Sequence, residues 1–185
     1  MKTDARVRYT RMRIREAFLQ CLKEKPVNRV TVKEICEIAE INRATFYTHY
    51  ADPFDLLQKL EDEALDSLRT QIDLAMETGG DLLTTVIEGM ANPRDGRALL
   101  ASNNADPEFS ARISEVFNEK YLLKMYDSLP NLSDRQREDA YRFLAGGCGN
   151  LIRHWLARDP RPSVEIMARD LRRFCDAFMD SLDHW

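Results

Sequence analysis

The sequence predicts an all-α protein, and three observations carry that expectation. Apolar residues recur at helical spacing along most of the 185 residues, and no stretch alternates with the period of a strand. Seven glycines and seven prolines are few, which suits helices joined by short connections, and the prolines punctuate the periodic runs. Capping residues precede several of those runs. Hydrophobic residues make up 44% of the chain, enough for a packed core and too many for wholesale disorder.

The first element is set by Ile14, Ala17, Phe18, Cys21 and Leu22, one apolar face at i, i+3, i+4, i+7 and i+8. Pro26 ends it. Thr31 and Glu34 then have capping-box spacing, with Val30 and Ile35 placed as a hydrophobic staple across it. A short second helix follows, with Val32, Ile35, Cys36 and Ala39 inward. Asn42 is an N-cap for a third, and Ile41 with Phe46 repeats the staple spacing. Phe46 and Tyr50, four apart, are core residues of that helix. Asp52-Pro53 opens a fourth, with Asp55 near its positive end, so the third must stop near Tyr50. Leu57, Leu60, Ala64, Leu68, Ile72 and Ala75 make a long stripe that Gly79-Gly80 ends. Further helices are expected over about 81–91, 94–102, 107–129, 134–158 and 163–183, about nine in all. The domain boundary is placed near residue 50. Residues 1–50 form a three-helix head, and residues 51–185 form a helical regulatory and dimerisation body.

Charge separates the same two parts. Residues 1–50 hold 11 Lys/Arg against 6 Asp/Glu, a net +5, whereas the remainder is net −9. A basic head on an acidic body suits a polyanion partner. No apolar run approaches the roughly 20 residues of a membrane span, and the start carries no apolar signal segment. Cys21, Cys36, Cys148 and Cys175 form no CxxC pair, so reduced thiols in a cytoplasmic setting are expected, with neither zinc nor disulfide framework. His49, His154 and His184 lie far apart, and there is no Glu-x-x-His pair or nucleophile–histidine signature. No enzymatic activity, metal or cofactor is expected.

Two short helices in tight succession behind a longer one spell a helix-turn-helix, whose second short helix enters the major groove of DNA. Arg43 can give two donors to guanine, Thr45 can meet a thymine methyl or a phosphate, and Ala44 permits close approach. Tyr47, His49, Thr31 and Lys33 are candidates for phosphate, as are Arg6, Arg8, Arg11 and Arg13. Arg43 is otherwise a solvated surface residue, Tyr47 a core residue, His49 a capping or packing residue, and the N-terminal arginines a tail.

The segment "AFLQCLKEKPVNRVTVKEICEIAEINRATFYTHYADPFDLL" resembles the DNA-binding head of the TetR family of bacterial transcriptional regulators. The resemblance rests on Thr-Val-x-x-Ile-x-x-x-Ala from Thr31, Thr-Phe-Tyr-x-His-Tyr from Thr45, and the acidic capped start at Asp52. It implies a homodimer, a body cavity for a small-molecule effector, and a palindromic double-stranded operator. It also implies base contacts at Arg43, Ala44 and Thr45 and phosphate contacts at Lys33, Tyr47 and His49. The expected activity is sequence-specific repression released by the effector. The alternative is a co-activator with the same fold that acts through a protein partner. Two positions depart from the family pattern: Glu40 stands where a turn glycine is usual, and Pro53 where a basic residue is often found.

In the body, Leu171, Phe174, Phe178 and Leu182 form one stripe, and Phe143, Gly147, Leu151 and Trp155 another. Together they are the candidate dimer interface, a two-fold four-helix arrangement. Gly146, Gly147 and Gly149 inside a helix call for a reason, and close helix approach is the expected one. Met76, Met90, Phe109, Phe117, Tyr121, Met125 and Tyr126 can line a cavity or form plain core, with Tyr121 and His154 as its polar candidates.

Overall fold

The computed structural model describes residues 2–92, 108–109, 111–116 and 131–182. All regular structure among them is helical: α1 (Lys2–Glu24), a 3-10 turn (Val27–Arg29), α2 (Val32–Ala39), α3 (Arg43–Tyr47), α4 (Pro53–Thr78), α5 (Leu82–Ala91), α6 (Asp134–Ala157) and α7 (Val164–Leu182). Residues 111–116 are helical as well. The helix expected over 94–102 and most of that over 107–129 lie outside the described residues. The described residues divide into two compact units, with the change at Glu63/Ala64 inside α4.

The first unit is built on the stripes that the sequence displays. Ile14, Ala17, Phe18, Cys21 and Leu22 of α1 are buried, as are Ile35, Cys36 and Ala39 of α2 and Leu56, Leu57 and Leu60 of α4. Phe46 is fully buried and Tyr50 nearly so, as their spacing predicts. The borders are made by the anticipated caps. Thr31 Oγ1 accepts from the Glu34 amide at 3.3 Å, and Glu34 accepts from the Thr31 amide at 3.0 Å. The box and an ion pair with Lys25 hold the Glu34 carboxyl at about 2, with the Lys25 hydrogen bond the largest cause. Val30 and Ile35 of the staple are both buried. Asp52 accepts from the amides of Phe54 and Asp55, each at 2.8 Å, and so starts α4. The arginines at 6, 8 and 11 lie on α1, not in an irregular tail. Arg11 and Arg15 both reach Glu63 on α4, at 3.1 and 3.5 Å.

In the second unit, Leu65, Leu68, Ile72 and Ala75 of α4 are buried, with Val86, Ile87 and Met90 of α5. Gly79 adopts φ 66°, the left-handed conformation that ends α4, and the Gly80 amide closes the turn on the Ala75 carbonyl at 2.9 Å. Asp81 caps α5 and pairs with Arg172 of α7. Its hydrogen bond from Thr84, and then the Arg172 pairing, hold its carboxyl below the ordinary value. Ser133 and Gln136 form a second capping box at the start of α6. The α6 and α7 helices run antiparallel. Phe143 stacks on Phe178, Cys148 meets Cys175, and Trp155 donates to the Pro162 carbonyl, so partner numbers fall along α7 as they rise along α6. No helix of the described residues is long and apolar enough to cross a membrane.

The Thr31 cap closes the first turn of α2 with one side chain. Thr31→Ala is expected to lower unfolding stability by about 1 kcal/mol, read in urea melts. An unchanged midpoint would mean that the capping box contributes nothing.

Candidate nucleic-acid interface and body cavity

The third helix is five residues long and depends on its borders. Asn42 Oδ1 accepts from the Thr45 amide at 2.7 Å and from Thr45 Oγ1 at 2.9 Å. Phe46 enters the core beneath it, edge-on to Tyr47 and tilted against Tyr50, each with centroids 5.7 Å apart. Lys59 lies over the other part of this cluster, 5.3 Å from the Tyr50 ring. Regular helix stops at Tyr47, earlier than the border at Asp52-Pro53 requires, because Thr48 bends the chain and the His49 and Tyr50 amides both return to the Phe46 carbonyl.

With Phe46 inward, the rest of α3 faces out. Arg43 and Ala44 are exposed, Thr45 is half-buried, and Tyr47 is 57% exposed. Tyr47 is therefore available to a partner and is not a core residue. His49 is half-buried, and its carbonyl accepts from Lys59 at 3.3 Å. Thr31 and Lys33 sit at the start of α2, both exposed, with Lys33 loosely paired to Glu37 at 3.7 Å. The structure thus brings the base-contact candidates onto one short turn, with the phosphate candidates on that turn and on its α2 neighbour.

Glu40 shapes the connection between them. It has φ 55° and ψ 45°, the left-handed conformation that a glycine adopts without strain. Its amide closes on the last turn of α2, and the Ile41 amide reaches back to the Cys36 carbonyl at 3.0 Å. Arg13 of α1 donates to Glu40 Oε2 at 3.0 Å and to the Ala39 carbonyl at 3.3 Å. This cation pairs with the exposed carboxylate and satisfies a helix-end carbonyl. The sequence offers no signal for the pair, because Arg13 and Glu40 are 27 positions apart.

The second unit holds a cavity of about 310 Å³. Val86, Ile87 and Met90 of α5 line it, with Ile113 and Ser114, Tyr141 to Ile152 of α6, and Leu171 to Met179 of α7. Met90 is placed there as expected. His154 is not: it is exposed and two residues from Ile152, which turns it to the opposite side of α6. Met76 is also surface-exposed, and Phe109 is buried core outside the cavity lining. Phe117, Tyr121, Met125 and Tyr126 lie outside the described residues. Tyr141 is the polar residue that sequence reasoning missed. Its hydroxyl donates to the Ser114 carbonyl at 3.1 Å, and burial pushes its pKa up to about 12. Leu144, Cys148 and Ile152, and again Leu171, Cys175 and Met179, recur every four residues, a spacing that marks this wall.

Of the dimer candidates, Phe174 is 61% exposed, Gly147 and Leu151 are exposed, and Phe178 is half-buried against Phe143, itself 70% exposed. Trp155 and Leu171 are spent inside the chain. Trp155 is buried with its indole nitrogen bonded to Pro162 and Arg161 over its ring, and Leu171 faces the cavity. The three glycines of α6 have no described atom within 4 Å of an added Cβ, so no close approach within the described chain accounts for them.

Glycine at position 40 relieves backbone strain that alanine retains, and both lose the Arg13 pair. The Glu40→Gly variant is therefore expected to be more stable than Glu40→Ala by about 1 kcal/mol in chemical denaturation. Equal stabilities would contradict the left-handed turn.

Comparison with known proteins gives a consistent picture. A TetR-type family model described as "Transcriptional regulator C-terminal region" matches residues 82–177, more than half of the chain. A curated relative from Bacillus subtilis (strain 168), the uncharacterized HTH-type transcriptional regulator YxbF, is 23% identical over 161 residues. That alignment covers 84% of this chain, which spans only 42% of the relative's length. Among solved structures, a TetR transcriptional regulator from Streptococcus agalactiae 2603V superposes with a TM-score of 0.66 at 22% identity, over 98% of both chains. The fatty acid degradation regulator FadR from Bacillus halodurans gives 0.66 at 16% identity, covering 92% of this chain and 94% of its own. With α1–α3 arranged as a helix-turn-helix and the body matched by its family model, the chain belongs to the TetR family of transcriptional regulators.

Proposed function

We propose that the protein is a homodimeric, sequence-specific DNA-binding regulator, a repressor released when a small apolar molecule enters the body cavity. The head, residues 1–50, reads DNA, and the body, residues 51–185, dimerises and receives the effector. The observation that carries this reading is the outward face of α3. A capped helix start presents Arg43, Ala44 and Thr45 together, while Phe46 fixes the turn from below. Arg43 supplies bidentate donors to guanine, Ala44 lets the backbone approach, and the Thr45 methyl meets thymine. Lys33, Thr31, Tyr47 and His49 hold the flanking phosphates. The Arg13–Glu40 pair sets a cation beside the one acidic departure in the turn, which is compatible with a DNA partner.

Two copies joined through a face of exposed Gly147, Leu151 and Phe174 with half-buried Phe178 would present two α3 helices to successive major grooves. The matching operator is a palindrome with half-sites about one helical turn apart or somewhat more. A ligand that binds better to another spacing of the heads lowers operator affinity by shifting the population. The cavity's volume lies at the small end of small-molecule sites, and its aliphatic lining suits an apolar effector. A chain of this kind works in the cytoplasm.

Selection from random duplex DNA is expected to return a palindrome. On the recovered site, Arg43→Ala should weaken binding by about 1–3 kcal/mol and relax preference at one position in each half-site. Lys33→Ala should weaken binding to all sequences alike and reduce the salt slope by about one. Recovery of no preferred sequence, with binding indifferent to salt, would refute the DNA-reading role. Phe174→Glu places a charge on the proposed dimer face, and sedimentation should show a monomer where the parent chain is a dimer. A variant that remains dimeric would exclude that face.

A further inference from the structure

Cys148 of α6 and Cys175 of α7 bring their Sγ atoms to 3.7 Å across the helix pair, and both residues line the apolar cavity. Four features set them apart from ordinary packed cysteines. They face each other from separate helices, so one sulfur can resolve chemistry begun at the other. They are half-buried, whereas Cys21 and Cys36 of the first unit are buried. Their sulfurs are in contact, with either able to donate to the other, and that contact lowers the Cys175 thiol while contact and burial raise Cys148. The thiolate is the nucleophilic form of cysteine; of the facing pair, Cys175 is taken as the attacking sulfur and Cys148 as the resolving one. Lastly, the space in front of them is walled by Val86, Ile87, Met90 and Ile152, which favour a hydrocarbon-bearing reactant over a small polar one. Among the described residues no group of three or more His, Cys, Asp or Glu is placed to hold a metal ion, so the pair is a dithiol and not part of a larger described ligand set.

We propose that Cys148 and Cys175 form a reactive dithiol in the cavity wall that an apolar organic hydroperoxide oxidises to a disulfide. This rests on the reading of the cavity as a small-molecule chamber, but not on DNA binding. In the first step the Cys175 sulfur attacks the terminal peroxide oxygen. The S–O bond forms, the O–O bond breaks, and the alkoxide leaves as an alcohol with the proton lost from Cys175. In the second step the Cys148 sulfur attacks Cys175. The S–S bond forms, the S–O bond of the sulfenic acid breaks, and hydroxide leaves as water with the proton lost from Cys148. The two thiols lose two electrons, and the hydroperoxide gains them. Closing the bond draws the sulfurs from 3.7 Å to about 2.05 Å and ties α6 covalently to α7 across the cavity.

The test uses the full-length reduced protein and one equivalent of cumene hydroperoxide, with hydrogen peroxide in a parallel sample. Peptide mapping without reductant is expected to show the Cys148 and Cys175 peptides joined, two hydrogen masses lighter, with Cys21 and Cys36 still free. Cumene hydroperoxide should react about tenfold faster than hydrogen peroxide, because its aromatic group is buried in the cavity. Cys175→Ser should abolish the reaction, and Cys148→Ser should stop it at a sulfenic acid that a dimedone probe captures. Cumyl alcohol, which has the same shape and no peroxide bond, should raise the melting temperature of the reduced protein. If cumyl alcohol stabilises the protein but no joined peptide forms, the dithiol proposal fails and the chamber stands. If both peroxides react equally and cumyl alcohol has no effect, the apolar chamber itself is refuted. Oxidation of Cys175→Ser at the parent rate would overturn the assignment of the attacking sulfur.

Discussion

A helix of five residues cannot hold its own shape, because nucleation costs more than one turn of hydrogen bonds returns. The outward display of Arg43, Ala44 and Thr45 therefore depends on what lies beneath and beside α3. Phe46 supplies the first part, with its whole side chain removed from water. Asn42 supplies the second by closing the first turn, and Glu40 the third by reversing the chain in a conformation unusual for its residue type. If any of these is lost, three correct side chains remain on a segment with no fixed direction. The head is then best understood as a support for one turn of helix, and α1 contributes to it through Arg13 as well as through its apolar face.

The second unit solves a different problem. Its antiparallel α6 and α7 must close on each other while leaving a volume between themselves and α5. Large side chains at the ends of the pair do the closing: Phe143 with Phe178 at one end, Trp155 against Pro162 at the other. Between these clamps stand smaller residues, among them Ala145, Cys148, Gly149 and Cys175. Leu144, Ile152 and Leu171 complete the cavity wall there. Tyr141 adds a polar edge without an unmet donor, since its hydroxyl is already engaged by Ser114.

How much of this was legible depended on the range of the interaction. The caps at Thr31, Asn42 and Asp52, the staple Val30–Ile35 and the burial of Phe46 all act within five residues, and the sequence displays them directly. The Arg13–Glu40 pair was hidden because nothing local links positions 27 apart. His154 was misplaced for a reason of phase. It sits in the right helix, but two residues from Ile152 is more than half a turn away. Trp155 and Leu171 continue apolar stripes that run partly outward and partly inward, and periodicity alone does not say which neighbour a stripe meets. Glu40 is the instructive case: it stands where a turn glycine is usual, and the left-handed turn is there all the same, between two capped helix starts.

Gly149 borders the cavity, and a methyl group added there would meet no described atom within 4 Å. That vacancy makes the position an adjustable spacer. An alanine methyl there would border the chamber without meeting a described neighbour, while also removing a helix-weakening residue. The volume of this cavity can thus be altered at a single position of one helix, leaving the Phe143–Phe178 and Trp155–Pro162 contacts untouched.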